Sequence, residues 1–307
     1  MTIPTFSLTE LRKGIDRELF CNCLESQGVF YLKIEDFIDA QHEPARATAL
    51  DFFEHASETQ RAALLSRNPK SRRGFSMLES ESTAQITNNG LASDYSMSYS
   101  MGVSKNIFPT QEFEQTWTAY FHHLYLAAQD LAEVVLDACG VKAESGRKTV
   151  LDYDPLLRLR YYPEVPQDRV AEVEPLRMAS HYDLSLITLI HQTPCPNRFT
   201  SLQYETEGGF VDLPVVSDTM LVFCGAVASI LSHGRIKAPQ HRVAAPDRNQ
   251  RIGSSRTSSV FFLRPSDDFS FSVQEARKIG FDVSHPSETS TFKEWIEGNY
   301  VNIKTQE

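Results

Sequence analysis

The chain has 307 residues, 41% hydrophobic and 23% charged, close to the globular norm of about 45–50% and about 25%. The length is sufficient to bury a substantial core. Thirty Lys+Arg against 40 Asp+Glu give a net charge of −10, which argues against a nucleic-acid partner but leaves room for local arginines that hold a small anion.

Met1–Ser7 has neither the basic region nor the apolar core of a secretory signal. Ser7-Leu8-Thr9-Glu10 has capping-box spacing, and Ile15, Leu19, Phe20, Cys23 and Leu24 follow a helical period that Gly28 can stop. Cys21 and Cys23 read as helix positions rather than a metal pair. With Cys139, Cys195 and Cys224 they form an odd set without C-x-x-C, which fits reduced thiols and a cytoplasmic protein. Val29–Leu32 reads as a short buried strand. Pro44 can open a second helix carrying Ala47, Leu50, Phe53 and Leu64. Residues 66–108 are polar and mixed, a length of irregular chain that compact domains usually carry for a function. Phe113, Trp117, Tyr120, Phe121, Leu124, Leu131 and Val135 then mark one face of a long helix ending at Gly140.

Beyond residue 150 the texture changes. Leu156–Tyr162, Leu184–His191, Ser201–Tyr204, Phe210–Leu213, Met220–Cys224, Ile236–Val243 and Ser258–Leu263 read as strands separated by turn residues. The longest mostly apolar stretch, Met220–Leu231, falls short of the about 20 residues that span a membrane. The expected architecture is mainly β with flanking helices. Residues 1–150 would be mostly helical, 151–265 a jelly-roll core, and 266–307 a C-terminal segment and tail, fused into a single unit.

His181-Tyr182-Asp183 opens one strand segment, and side chains at i and i+2 of a strand share a face. An imidazole and a carboxylate would then converge, and His241 in Lys237-Ala238-Pro239-Gln240-His241-Arg242-Val243 could complete the two-His, one-carboxylate facial triad of non-haem Fe(II) oxygenases. A lone H-x-D is also a common polar strand end. The next element raises its weight. Arg256 and Ser258 are again i and i+2, and a guanidinium fork with a neighbouring hydroxyl suits the distal carboxylate of a 2-oxo acid. The plain alternative is a surface arginine in a turn.

Together these motifs resemble the 2-oxoglutarate/Fe(II) oxygenases related to isopenicillin N synthase. Arg72-Arg73-Gly74-Phe75, Glu79 to Gln85, Asp94-Tyr95-Ser96-Met97, Arg264-Pro265 and Gly298 to Asn302 resemble that family's cephalosporin-forming branch of penicillin expandases and cephem 3′-hydroxylases. The resemblance implies a double-stranded β-helix core, Fe(II) on His181, Asp183 and His241, and 2-oxoglutarate on Arg256 and Ser258, with O₂ as the oxidant. It implies a small β-lactam substrate whose carboxylates meet Arg72, Arg158, Arg160 and Arg264, with Asn302 on a tail that closes over the site. Arg158 and Arg160 are i and i+2 on one strand, so they point the same way, and buried cations need matching anions. The alternative is that some of Arg72, Arg158, Arg160 and Arg264 pair with acidic residues such as Asp152 or Asp154. Met178, Thr188, Phe223 and Phe262 resemble pocket-lining positions, or serve as plain β-core packing. His191 and His233 are spare imidazoles with surface or core roles.

The implied reaction is expansion of penicillin N to deacetoxycephalosporin C, with 3′-hydroxylation of that cephem, alone or in one bifunctional enzyme, as the alternative. Val222 to Gly225, Ile236 to Pro239 and Tyr300 to Asn302 look more like expandases. Ile190 to Thr193 and Leu213 to Val216 look more like hydroxylases, and Tyr162 and Pro196 to Thr200 depart from both. The rivals are an Fe(II) oxidase that does without 2-oxoglutarate, and a non-catalytic β-barrel binding protein. No membrane, nucleic-acid or obligate protein partner is indicated. Walker A, G-x-G-x-x-G, H-E-x-x-H and G-x-S-x-G patterns are absent.

Overall fold

In the computed structural model, which describes residues 2–34, 39–66, 73–83, 93–141, 153–169 and 176–303, the β segments fold as two facing sheets. The strands are β1 Thr5–Ser7, β2 Val29–Lys33, β3 Gly74–Ser76, β4 Met97–Gly102, β5 Leu156–Tyr162, β6 Leu176–His181, β7 Ile187–Gln192, β8 Leu202–Thr206, β9 Gly209–Asp212, β10 Met220–Cys224, β11 His241–Ala244 and β12 Arg256–Leu263. The larger sheet runs β1-β2-β10-β7-β12-β5-β4-β3, and the smaller β6-β11-β8-β9. Only the β1–β2 contact is parallel among these pairs, so this is the double-stranded β-helix expected of the family.

Period-2 alternation sorts the side chains of the large sheet. Tyr31, Tyr162, Ile190, Leu221, Phe223 and Val260 face inward, meeting Met178, Leu202, Tyr204 and Val243 of the small sheet. The outward set, including Leu157, Leu159, Ile187, Leu189 and Phe261, packs on helix α5, Gln111–Ala138, through Trp117, Leu124, Ala128 and Leu131. Thr110 caps that helix, its hydroxyl accepting from Phe113 N, and Gly140 just beyond its end takes a φ of 78°. The outer apolar cluster extends from Phe6 to Ile296.

Several elements differ from the sequence expectation. The first helix is two: α1, Leu8–Arg12, and α2, Arg17–Ser26. Gly14 and Asp16 have positive φ and break the period, which leaves Ile15 and Leu19 exposed at 47% and 56%. Helix α3, Asp39–His55, begins before Pro44, and Leu64 lies beyond a separate helix α4, Glu58–Ala63. The irregular stretch contains β3 and β4, whose glycines and serines (Gly74, Ser76, Ser98, Ser100 and Gly102) give little apolar signal. The strand expected over Ile236–Val243 starts only at His241, since Pro239 cannot donate to a ladder. The apolar run after β10 turns into helix α6, Ala226–Leu231. The C-terminal part contains an antiparallel strand pair, β13 Ser270–Ser272 with β14 Thr289–Thr291, and helices α7, Val273–Lys278, and α8, Phe292–Ile303. Residues 300–302, expected as a tail, lie in α8; the side chain of Asn302 and all of Arg72 lie outside the described residues. The described cysteines are free thiols. Among the described residues no helix is long and apolar enough to cross a membrane.

Candidate active site

His181 closes β6 and His241 opens β11, and the two are direct partners in the antiparallel register. Asp183 lies in the turn after β6, so the H-x-D pair converges through a turn and not along a strand as expected. The three side chains are buried, with ligand atoms all within 4.8 Å of one another. Each histidine places Nδ1 against a backbone carbonyl, Ala179 O at 2.9 Å and Pro239 O at 3.3 Å. A carbonyl only accepts, so Nδ1 donates and Nε2 carries the free lone pair. Both Nε2 atoms face Asp183, at 3.9 Å from Oδ1 and 3.8 Å from Oδ2. Asp183 Oδ2 is buried without a hydrogen-bond partner among the described residues. Burial, reinforced by the His241 imidazole, pushes His181 down to about 4, which keeps it neutral. Two lone-pair nitrogens and an unsatisfied carboxylate oxygen make a donor set that suits a divalent iron ion. Phe223 stacks on His241 at 4.3 Å between centroids and 15° between planes, fixing the ring.

The turn that carries Asp183 is held from behind. Ala226 N donates to Asp183 O at 2.8 Å and Gly225 N to Leu186 O at 3.0 Å. A Cβ at Gly225 would collide with the Ser185 carbonyl, so only glycine lets α6 start this close to the turn.

Arg256 opens β12 on the inner face, opposite Tyr162 of β5, and is 6% exposed. Its Nη1 donates to Ser201 Oγ, its Nη2 to Gln192 Oε1 at 3.0 Å, and its Nε is buried without a partner. No carboxylate among the described residues pairs with it, and burial pushes its pKa down. A cation taken out of water without an anion signals a site for an anionic ligand. Ser258 follows on the same face, and a cavity of about 210 Å³ has Arg256, Ser201 and Gln192 in its wall. That pairing suits the far carboxylate of 2-oxoglutarate.

Arg158 and Arg160 do share the inner face of β5, but their carboxylate partners are neither Asp152, outside the described residues, nor Asp154. Arg158 donates through Nη1 to Glu81 Oε2 at 2.8 Å and through Nε to Ser100 Oγ at 3.0 Å. Arg160 donates to Ser96 Oγ at 2.9 Å and reaches Glu81 Oε2 at 3.4 Å and Asp94 Oδ2 at 3.7 Å. Asp154 pairs with Arg264, as the alternative reading expected for some of the four arginines, and its backbone carbonyl accepts from Arg264 Nε at 2.8 Å. Burial acts to lower Arg160, but Glu81 heads the charges that outweigh it and hold the group above its ordinary pKa. Burial also pushes Asp94 up, against the pull of Arg160 and Thr83. Glu81, Asp94 and Gln192 fall in blocks that carry the family resemblance but were given no role there, and Ser201 was read only as the start of a strand. A further signal was the alternation Ser96, Ser98, Ser100 against Met97, Tyr99, Met101, which marks a strand with a polar inner face.

Thr188 is fully buried and bonded to Ser185 Oγ at 2.8 Å, Met178 and Phe223 belong to the inner apolar cluster, and Phe262 packs against it. His191 packs against His42 at 3.9 Å on the outer face of the sheet, and His233 pairs with Glu275 at the surface.

The 2OG-Fe(II) oxygenase superfamily profile matches residues 153–265. The chain is 58% identical over 304 residues, 99% of its length and 97% of the relative, to a deacetoxycephalosporin C synthase from Amycolatopsis lactamdurans. It is 52% identical, over 98% of its length and 96% of the relative, to a deacetoxycephalosporin C hydroxylase from Streptomyces clavuligerus. A full-length Neurospora crassa protein, solved in complex with alpha-KG and thymine, superposes with a TM-score of 0.77 at 20% identity, covering 97% of this chain and 96% of that one, and shares the fold. The chain therefore belongs to the 2-oxoglutarate- and Fe(II)-dependent oxygenases, in the deacetoxycephalosporin C synthase and hydroxylase branch, and uses Fe(II) and 2-oxoglutarate.

Proposed function

We propose that the protein expands the penam ring of penicillin N to the cephem of deacetoxycephalosporin C. The observation that carries this reading is the near-full-length identity of 58% to a deacetoxycephalosporin C synthase. His181 and His241 offer Nε2 and Asp183 a carboxylate oxygen to Fe(II), and the buried backbone contacts at Ala179 and Pro239 hold the rings in that tautomer. Arg256 and Ser258 bind the distal carboxylate of 2-oxoglutarate, and Gln192 and Ser201 orient the guanidinium. With the iron bound, oxidation of 2-oxoglutarate to succinate and CO₂ supplies the power to remove hydrogen from an unactivated methyl group. The chain's own contribution is placement. Arg158 and Arg160 present cations on the inner face of β5 for the substrate carboxylates, with Arg264 just beyond the end of β12 as a third, while Met178, Thr188, Phe223 and Phe262 exclude water around the methyl group. Arg72 and Asn302 complete the substrate contacts in this reading. Catalysis needs no protein partner, nucleic acid or membrane, and the protein works in the cytoplasm.

A second reading, 3′-hydroxylation of deacetoxycephalosporin C, is favoured by the 52% identity to a hydroxylase. Turnover of penicillin N and of deacetoxycephalosporin C with Fe(II) and 2-oxoglutarate, followed by product identification and succinate release, separates them. Expanded cephem from penicillin N supports the first reading. Hydroxylated cephem from the second substrate alone overturns it, and product without succinate overturns dependence on 2-oxoglutarate.

A further inference from the structure

Ser98 lies on β4 directly opposite Arg160 of β5, and Arg160 lies opposite Ser258 of β12, so a row of three polar side chains crosses the inner face. Directly opposed residues bring their Cβ atoms to about 4.5–5.5 Å, within reach of one small ligand group. The serines two residues to either side of Ser98, Ser96 just before β4 and Ser100 on it, are both used: Ser96 Oγ accepts from Arg160 and Ser100 Oγ from Arg158. Ser98 differs. It is 1% exposed, and its Oγ has no hydrogen-bond partner among the described residues. A hydroxyl desolvated without a partner is a net cost to the folded chain. Arg160 keeps a 2.9 Å bond to Ser96 but holds its carboxylates loosely. Its carboxylate contacts, at 3.4 Å to Glu81 and 3.7 Å to Asp94, are long beside the about 2.7–2.9 Å of a well-made charge-assisted bond. A guanidinium with slack contacts and an unsatisfied hydroxyl on the same face repeat, one strand over, the chemistry of Arg256 with Ser258.

We propose that Ser98 and Arg160 together seat one carboxylate of the β-lactam substrate, which makes Ser98 a substrate-binding residue. The assignment rests on the reading above that the inner-face arginines meet the substrate. In the bound state the Ser98 hydroxyl donates to one carboxylate oxygen and Arg160 to the other. Glu81 and Asp94 stay beside the guanidinium and keep the seat from attracting a second anion.

The test is anaerobic titration calorimetry of the iron-loaded, 2-oxoglutarate-bound chain with penicillin N, together with the Tm of the ligand-free protein, for wild type, S98A, S100A and R160K. S98A is expected to weaken penicillin N about tenfold, as for a lost hydrogen bond to a charged group, while its ligand-free Tm stays equal or rises. S100A is expected to lower that Tm, because Arg158 loses an acceptor it already uses. Unchanged penicillin N affinity in S98A, or a loss confined to 2-oxoglutarate, overturns the assignment. If R160K weakens penicillin N and S98A does not, the Ser98 assignment alone fails. If R160K leaves the affinity unchanged, the reading of the inner-face arginines fails and the assignment with it; if wild type does not bind penicillin N, the expansion reading fails, and unchanged deacetoxycephalosporin C affinity in S98A then overturns the assignment.

Discussion

Arg256 and Arg160 sit on the same inner face, on adjacent antiparallel strands, and the protein treats them in opposite ways. Arg160 is neutralised by Glu81 and Asp94, both buried, whereas Arg256 has hydroxyl and amide partners and no carboxylate among the described residues. A buried cation is costly unless an anion accompanies it. Where the chain brings its own anion, the arginine contributes to the fold; where it does not, the arginine depends on a ligand. The two strands thus separate a buried cation that the chain leaves open to an anionic ligand from one that it has largely balanced itself.

The comparison breaks most readily at Arg256. Arg256→Gln is expected to raise the KM for 2-oxoglutarate about a hundredfold or more, the scale for truncating one partner of a buried charge pair, with no loss of Tm. Succinate release and a thermal melt check both halves, and a falling Tm would show that Arg256 is structurally paired after all. At the other seat the signs reverse. Arg160→Gln leaves Glu81 and Asp94 facing each other without their shared cation and is expected to cost about 3 kcal/mol in urea unfolding. Glu81→Gln is expected to cost about 2 kcal/mol, less because Gln can still accept from Arg158.

A smaller effect sharpens the picture from the outer face of β12. His42 is 2% exposed, hydrogen-bonds Ser259 Oγ at 3.1 Å and packs on Tyr120 and His191. Burial pushes its pKa down to about 2, with His191 and Arg46 adding to the effect. The folded state therefore keeps this ring neutral, and its stability contribution is complete above the unfolded pKa of about 6.5. Below that pH the unfolded chain binds the proton and the folded one does not. Stability should fall by up to about 1.4 kcal/mol per pH unit toward pH 2, and His42→Gln should flatten that slope between pH 6 and 4 in urea titrations. The smallest change is Phe223→Leu, which keeps an apolar contact but loses the stack on His241; a fall in turnover of about threefold is expected, with the fold intact.

Most of the β core and both ligand motifs were legible because they repeat simple rules. Leu156–Tyr162 and Met220–Cys224 were found to the residue, since each is an uninterrupted strand bounded by a turn. H-x-D and the distal histidine carried enough chemistry to bring His181, Asp183 and His241 together, and R-x-S marked a buried Arg256 with Ser258 on the same strand face. The counter-ions of Arg158 and Arg160 were not legible. Glu81 and Asp94 come from the irregular stretch between β3 and β4, and only the folded path of that stretch brings them under β5. Ile15 and Leu19 misled for a local reason: their period is right, but Gly14 and Asp16 reset the helix phase. Alternation also gave the right convergence of His181 and Asp183 for the wrong cause, a turn standing where a strand was expected.

Gly225 shows where this design is least forgiving. It touches neither a ligand atom nor a substrate arginine, yet its missing side chain lets the start of α6 clasp the turn that carries Asp183. One added methyl group would have to push that turn forward, and the carboxylate would move with it. The tolerance of the iron centre is thus set from the rear wall, so substitutions that ruin catalysis need not lie among residues the reactants ever meet. A survey of inactivating changes that stopped at the pocket lining would miss one of the narrowest clearances in the molecule.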